Sequence, residues 1–355
     1  MIIEQQPVGQ QIFGEKDGKP VTLYTIKNKW GFQVSCIDYG CIITEILSPD
    51  RTGKLENVVL SLDTLEEYQR DVHFLGAVAG RFAGRIKDGS ADIAGRNYQL
   101  DRNSNGHHLH GGGSGWHSVV WHSAPFEEAD GAGVEFSYTS PDGEGGYPGK
   151  LDMTIRYFVK DDANELIISY EGTADCDTLL NPTNHSYFNL SGKLKRDVLE
   201  HNVKIPSDAY LELDGELLPT GKLLPVDNSV FDLRNGMKIN EAVEADHPQT
   251  EIAGNGYDHP FVLDQSGGNP IILSDPESGR QLSVTTTEPA VVLYTGNGLK
   301  GPYTLRGTKA GNYMGLCLET QKLPDSPRHT QFASAILKQG ENFHSETKFS
   351  FTVQE

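Results

Sequence analysis

Five segments of this chain concentrate residues that can hold hydroxyl groups or move protons: GRFAGRI at 80–86, NGHHLHGG at 105–112, NPTNHSYFNL at 181–190, GYDHPF at 256–261 and LETQKLPDSPRH at 318–329. In the third, His185 sits among Asn184, Ser186, Tyr187 and Asn189. Imidazole has an unperturbed pKa near ~6.5, so His185 is suited to give and take protons near neutrality. A lone histidine serves structure as readily as chemistry, and a chemical role needs a partner of opposite function. Glu319 is the candidate. It closes the run Tyr313–Leu318, where burial among apolar neighbours would raise its pKa toward the range of a general base. The competing reading is a strand-end glutamate turned to water by the Pro324-Asp325 turn.

The remaining candidates each carry a bland alternative. His107, His108 and His110 are followed by His117 and His122. On a strand, the spacing of His108 and His110 would put both imidazoles on one face, as in a metal site, but no acidic residue follows closely and three glycines do. They serve equally as histidines of a glycine-rich loop. Asp258 follows the turn signal Asn255-Gly256 and reads as a turn acid or a ligand for hydroxyls. Arg81 and Arg85 lie among Gly80, Ala83 and Gly84, as surface cations, as ion-paired residues, or where small neighbours allow close approach.

The elements that must position these side chains are strands. Leu151, Met153, Ile155, Tyr157 and Val159 alternate with Asp152, Thr154 and Arg156, and Leu166, Ile168 and Tyr170 repeat the pattern beyond a polar turn, so 151–171 reads as a hairpin. The same period of two recurs at Val134/Phe136/Tyr138, Leu282/Val284/Thr286 and Phe349/Phe351/Val353. One helical fragment, about two turns after Asp63, carries the early acids Glu66 and Glu67. Strand–helix alternation is missing, which predicts an all-β fold of antiparallel sheets packed face to face. Although 355 residues admit two or three domains, the pattern has no linker or repeat, and one β domain spanning 1–355 is expected.

Composition narrows the partners. With 30 Lys+Arg against 49 Asp+Glu, the formal charge is −19, which argues against nucleic acid and anionic membranes. Four cysteines lack any C-x-x-C pairing and read as reduced thiols. The start, MIIEQQPVGQ, lacks the features of a signal peptide, and no apolar stretch approaches a membrane span, so a cytoplasmic protein is expected.

Taken together and in order, the motifs GRFAGRI, LHGG, TNHSYFNL, YDHPF, YTGN (294–297) and ETQKLPDSP, with FDLR (231–234) and GGYPG (145–149), resemble the aldose 1-epimerase family over nearly the whole chain. The resemblance implies a large antiparallel β-sandwich, the galactose mutarotase-like supersandwich, and interconversion of the α and β anomers of free aldoses without metal or organic cofactor. It implies that Glu319 is the base and His185 the acid, and that Arg85, His110 and Asp258 hold substrate hydroxyls. Two positions depart from common versions of the pattern: Gly84 stands where Asn is frequent, and Val292 where some members carry Gln. Galactose, glucose, another aldohexose or a disaccharide such as maltose all remain as substrates, and the protein is expected as a monomer or homodimer.

Three rivals are distinguishable. A glycoside hydrolase would pair Glu319 with Asp258, at ~5–5.5 Å if retaining or ~6.5–9.5 Å if inverting, and would leave His185 without a role. A non-catalytic sugar-binding relative would keep Arg85, His110 and Asp258 but need no acid and base. A hexose-phosphate epimerase would need more cations than Arg81 and Arg85 supply.

Overall fold

Alternation at the sequence level becomes a sheet face in the structure. In the computed structural model, which describes residues 7–264, 266 and 268–354, Leu151, Met153, Ile155, Tyr157 and Val159 are at most 2% exposed, while Asp152 between them is exposed. They belong to the strand Leu151–Lys160, which forms the expected hairpin with Glu165–Ala174. Residues 1–6, part of the stretch read for a signal segment, lie outside the described residues.

This hairpin supplies the third and fourth strands of a nine-stranded sheet. Its order runs from His122–Glu128 through Gly131–Ser140, the hairpin, Asn342–Val353, Arg280–Thr286, Ile271–Ser274 and Asn202–Lys204 to Met237–Lys238. A six-stranded sheet runs Tyr187–Phe188, Leu316–Gln321, Ala290–Tyr294, Asp258–Val262, Ala209–Leu213, Pro219–Pro225, and a five-stranded one occupies residues 8–57. All three are antiparallel throughout. Ile155 and Tyr157 of the large sheet share one apolar cluster with Val291, Leu293, Leu316 and Leu318 of the six-stranded sheet and with Val34 and Ile46 of the five-stranded one. The expected sandwich is therefore present, with its core between the sheets.

The predicted helix spans Leu65–Arg70. Thr64 caps it by accepting from the Glu67 backbone N–H while the Glu67 carboxylate accepts from the Thr64 N–H, a reciprocal capping box. Two one-turn helices, Ile239–Val243 and Pro248–Ile252, were not expected, since five residues are too few to show a helical period.

Arg81 is neither surface cation nor site residue. It is 2% exposed, and its guanidinium donates to the carbonyls of Ser140, Pro141, Pro148 and Gly149 and to the hydroxyls of Ser140 and Thr178. A guanidinium carries its five N–H donors in a fixed fork, suited to gathering turn carbonyls that no ladder satisfies. Arg81→Met would strand several of these acceptors, and we expect a loss on the order of 3 kcal/mol in denaturant unfolding. An unchanged midpoint would show that the turn does not depend on the cation.

Candidate active site

Period two also builds the site. On Leu316–Gln321, Leu316 and Leu318 enter the core, so Cys317, Glu319 and Gln321 face the other way. The register then lays side chains out in rows. Tyr187, Cys317, Tyr294 and Asp258 stand opposite one another across four strands, and Glu319, Val292 and Pro260 form the adjacent row. Residues distant in sequence thus share one surface, the floor of a cavity of about 270 Å3.

His185 follows the short strand Thr183–Asn184. Its N–H donates to Ala77 and its carbonyl accepts from Gly76, which fixes the backbone on both sides. Its Nε2 lies 3.5 Å from Glu319 Oε1, with both side chains about 5% exposed or less. On the other side of the ring, Nδ1 lies 3.5 Å from the buried Cys317 Sγ. Arg85 pairs with Leu109 across a two-residue ladder and reaches Asp258 Oδ2 at 3.5 Å. His110, just past that ladder, exchanges contacts with Gly84: its N–H donates to the Gly84 carbonyl, and its Nδ1 accepts from the Gly84 N–H at 3.2 Å. An Nδ1 that accepts fixes the tautomer, and Nε2–H remains as a donor. All five residues expected from the sequence therefore line one cavity.

The metal reading of His108 and His110 does not hold. The strand is only His108–Leu109, and His110 turns away at φ +51°, so the two rings do not share a face. His108 instead spans the Asp101 carbonyl at 2.7 Å and the Tyr147 hydroxyl at 2.5 Å. His110, His185 and Glu319 do bring donor atoms within 4.8 Å of one another, but the His110 Nε2 proton leaves that trio short of a free lone pair.

Sequence reasoning missed the wall formed by Val72, His73 and Phe74. Asp71 folds this segment over, accepting from the backbone N–H groups of His73 at 2.9 Å and Leu75 at 2.7 Å. Phe74 then rests 4.7 Å from the His110 ring and 5.9 Å from the His185 ring. The signal was an Asp just after a helix, a turn former by its own side chain. Tyr294 and Gln321 also line the cavity. A larger open groove, about 1350 Å3, lies elsewhere against the nine-stranded sheet, and the His344–Glu171 contact within it is exposed rather than desolvated.

Desolvation governs the electrostatics. Burial pushes the Glu319 carboxyl well above its ordinary range, Asp258 adds to the rise, and Arg85 opposes it. Burial lowers the His185 imidazole to about 4. His110 is likewise pushed well down, by burial first and by neighbouring cations second. Both shifts in the close pair act in the same sense, favouring carboxylic acid beside neutral imidazole over the ion pair.

A cavity that sets a buried carboxyl beside a buried imidazole, with hydrogen-bonding groups around them and room for one small ring, defines an enzyme that moves protons on a small neutral molecule. Residues 22–350 match the model of the aldose 1-epimerase family. The galactose mutarotase of Mus musculus is 39% identical over 353 residues, covering 98% of this chain and 99% of its own. The aldose 1-epimerase of Escherichia coli strain K12 is 34% identical, covering 95% and 97%. The crystal structure of galactose 1-epimerase from Lactobacillus acidophilus NCFM superposes with a TM-score of 0.87 at 31% identity, covering 98% and 99%. The chain belongs to the aldose 1-epimerase family, isomerases that interconvert aldose anomers.

The pair's single proton sets the pH dependence. A depressed imidazole takes up a second proton only as pH falls toward about 4, and a raised carboxyl keeps the shared proton above its usual range. We therefore expect kcat/KM to stay flat through the ordinary histidine value of ~6.5, bending down only nearer 4 and, on the alkaline side, where the shared proton is lost. An inflection at 6.5 would contradict the pairing.

Proposed function

We propose that the protein interconverts the anomers of free aldohexoses, galactose and glucose among them, with Glu319 and His185 moving the protons. Glu319 removes the proton of the C1 hydroxyl while His185 protonates the ring oxygen, and the hemiacetal opens. Rotation about C1–C2 and closure in the reverse sense give the other anomer, with Glu319 giving back the proton it took and His185 taking back the one it gave. The observation that carries this reading is the buried His185–Glu319 contact at 3.5 Å in a cavity sized for one sugar ring.

The step needs the shared proton on His185, so bound substrate must first draw it across from Glu319. Ring opening then starts from carboxylate and imidazolium and ends with carboxylic acid and neutral imidazole, discharging the two charges that burial penalises. Arg85, His110 Nε2–H and Asp258 then hold the sugar hydroxyls. A glycoside hydrolase pair of Glu319 and Asp258 is less well supported, because Asp258 is engaged by Arg85 and the imidazole would stand idle. A phosphorylated substrate is disfavoured because Arg81 is consumed by turn carbonyls and the charge of Arg85 is offset by Asp258.

We further infer a single domain, supported by a core cluster drawing on residues from Val8 to Phe351. Action in the reducing cytoplasm is supported by four unpaired cysteines. Among the described residues no helix is long and apolar enough to cross a membrane.

Polarimetry on freshly dissolved α-D-galactose and α-D-glucose tests the activity. The protein should speed the approach to equilibrium rotation, and an unchanged rate with every free aldose would reject the reading. Glu319→Gln and His185→Asn should each lower kcat by ~100-fold or more with the fold intact, as expected for removal of a proton-transfer group. Near-normal turnover in either would reject that residue's role.

A further inference from the structure

We infer that Gln321 is an additional substrate-binding residue, its amide left without a protein partner so that a sugar hydroxyl can supply one. This rests on the aldose reading above and assigns the cavity one more polar contact. Gln321 lies two residues beyond Glu319 on the same strand and shares its face, opposite the small Ala290. It is completely buried, it lines the cavity, and among the described residues neither Nε2 nor Oε1 has a hydrogen-bond partner.

A buried amide with both ends unsatisfied is rare and destabilising, so it calls for an explanation. Neighbouring amides show what a structural one looks like. Asn181 accepts from the Lys322 N–H and donates to the Lys322 and Ala83 carbonyls. Asn184 accepts from the Ser186 N–H and donates to the Gly76 carbonyl and the Tyr157 hydroxyl. Arg85 and Asp258, on the same cavity wall, already hold each other. Gln321 is the uncommitted group.

Its surroundings preserve that freedom. Gly84 has φ +81°, and a methyl group there would fall 2.9 Å from Pro324 and 3.3 Å from Gln321 Nε2. The bare glycine keeps the space beside the amide open, so rotation of the terminal torsions can turn it into the cavity. An amide presents a donor and an acceptor together, and a sugar hydroxyl offers the complement of both. The polar side chain that Gly84 cannot bring is in this way supplied by Gln321, held two residues from Glu319.

The test compares wild type with Gln321→Met, which keeps the side chain's length and removes its polarity. On the aldose that wild type handles best, kcat/KM should fall about 10-fold or more, because a hydroxyl is buried without its partner. Against a series of monodeoxy forms of that sugar, the difference between the two proteins should vanish at one position and persist at the others. The thermal midpoint should not fall, since no protein hydrogen bond is lost; a structural role would lower it. Gln321→Asn, which keeps the amide but draws it back by one methylene, should give the same substrate pattern if the Met variant fails to fold. Equal kcat/KM in the variants and wild type, or a loss shared by every monodeoxy sugar, would overturn the inference while leaving the epimerase reading intact. Failure of wild type to speed mutarotation would reject that reading itself.

Discussion

A carboxyl and an imidazole within 3.5 Å, both shut off from water, are under one constraint: charge on either is penalised, and a single proton is enough to neutralise both. The rest of the molecule serves to impose that condition. Two strands and their register bring Cys317, Glu319 and Gln321 to one face, while Leu316 and Leu318 lock the other face into the core. A slip of one residue would turn Glu319 into the apolar interior and a leucine into the cavity. Placement of the Glu319 carboxyl is therefore as secure as the packing of the sandwich.

The imidazole is held by different means. His185 has no long strand of its own; its backbone is clamped between Gly76 and Ala77, and its ring is bounded by Cys317 and Phe74. The Asp71 turn that orients Phe74 follows directly from the capped helix, so a local motif at 64–75 completes a cavity whose floor is built from strands far along the chain. Imidazole and carboxyl come from separate structural units, and each carries its own means of restraint. Rotation of either side chain is opposed by packing rather than by a shared hydrogen-bond network.

Much of this was legible in residues alone, for identifiable reasons. Alternation at 151–159 announces a half-buried strand because period two is imposed by the pleat, and the early acids Glu66 and Glu67 announce a helix start because they complement its dipole. His185 and Glu319 could be paired only through the family resemblance, since no local rule links positions 134 apart. The His108/His110 reading failed because the strand stops after Leu109, and a positive φ at a non-glycine residue leaves no mark in the sequence. Arg81 was read beside Arg85, yet one is sunk among turn carbonyls and the other faces the cavity. Two arginines four apart look alike until the fold decides which carbonyls lack donors.

The same limit applies to Gln321, whose importance lies in partners it does not have. The most direct test of the central claim is the infrared carbonyl region of the unliganded protein at neutral pH, compared with Glu319→Gln. Wild type should show a protonated-carboxyl band that the substitution removes, because burial favours the shared proton on Glu319 beside a neutral imidazole. If that band is missing and the substitution removes carboxylate absorption instead, the two groups stand as an ion pair, contrary to a proton held on Glu319.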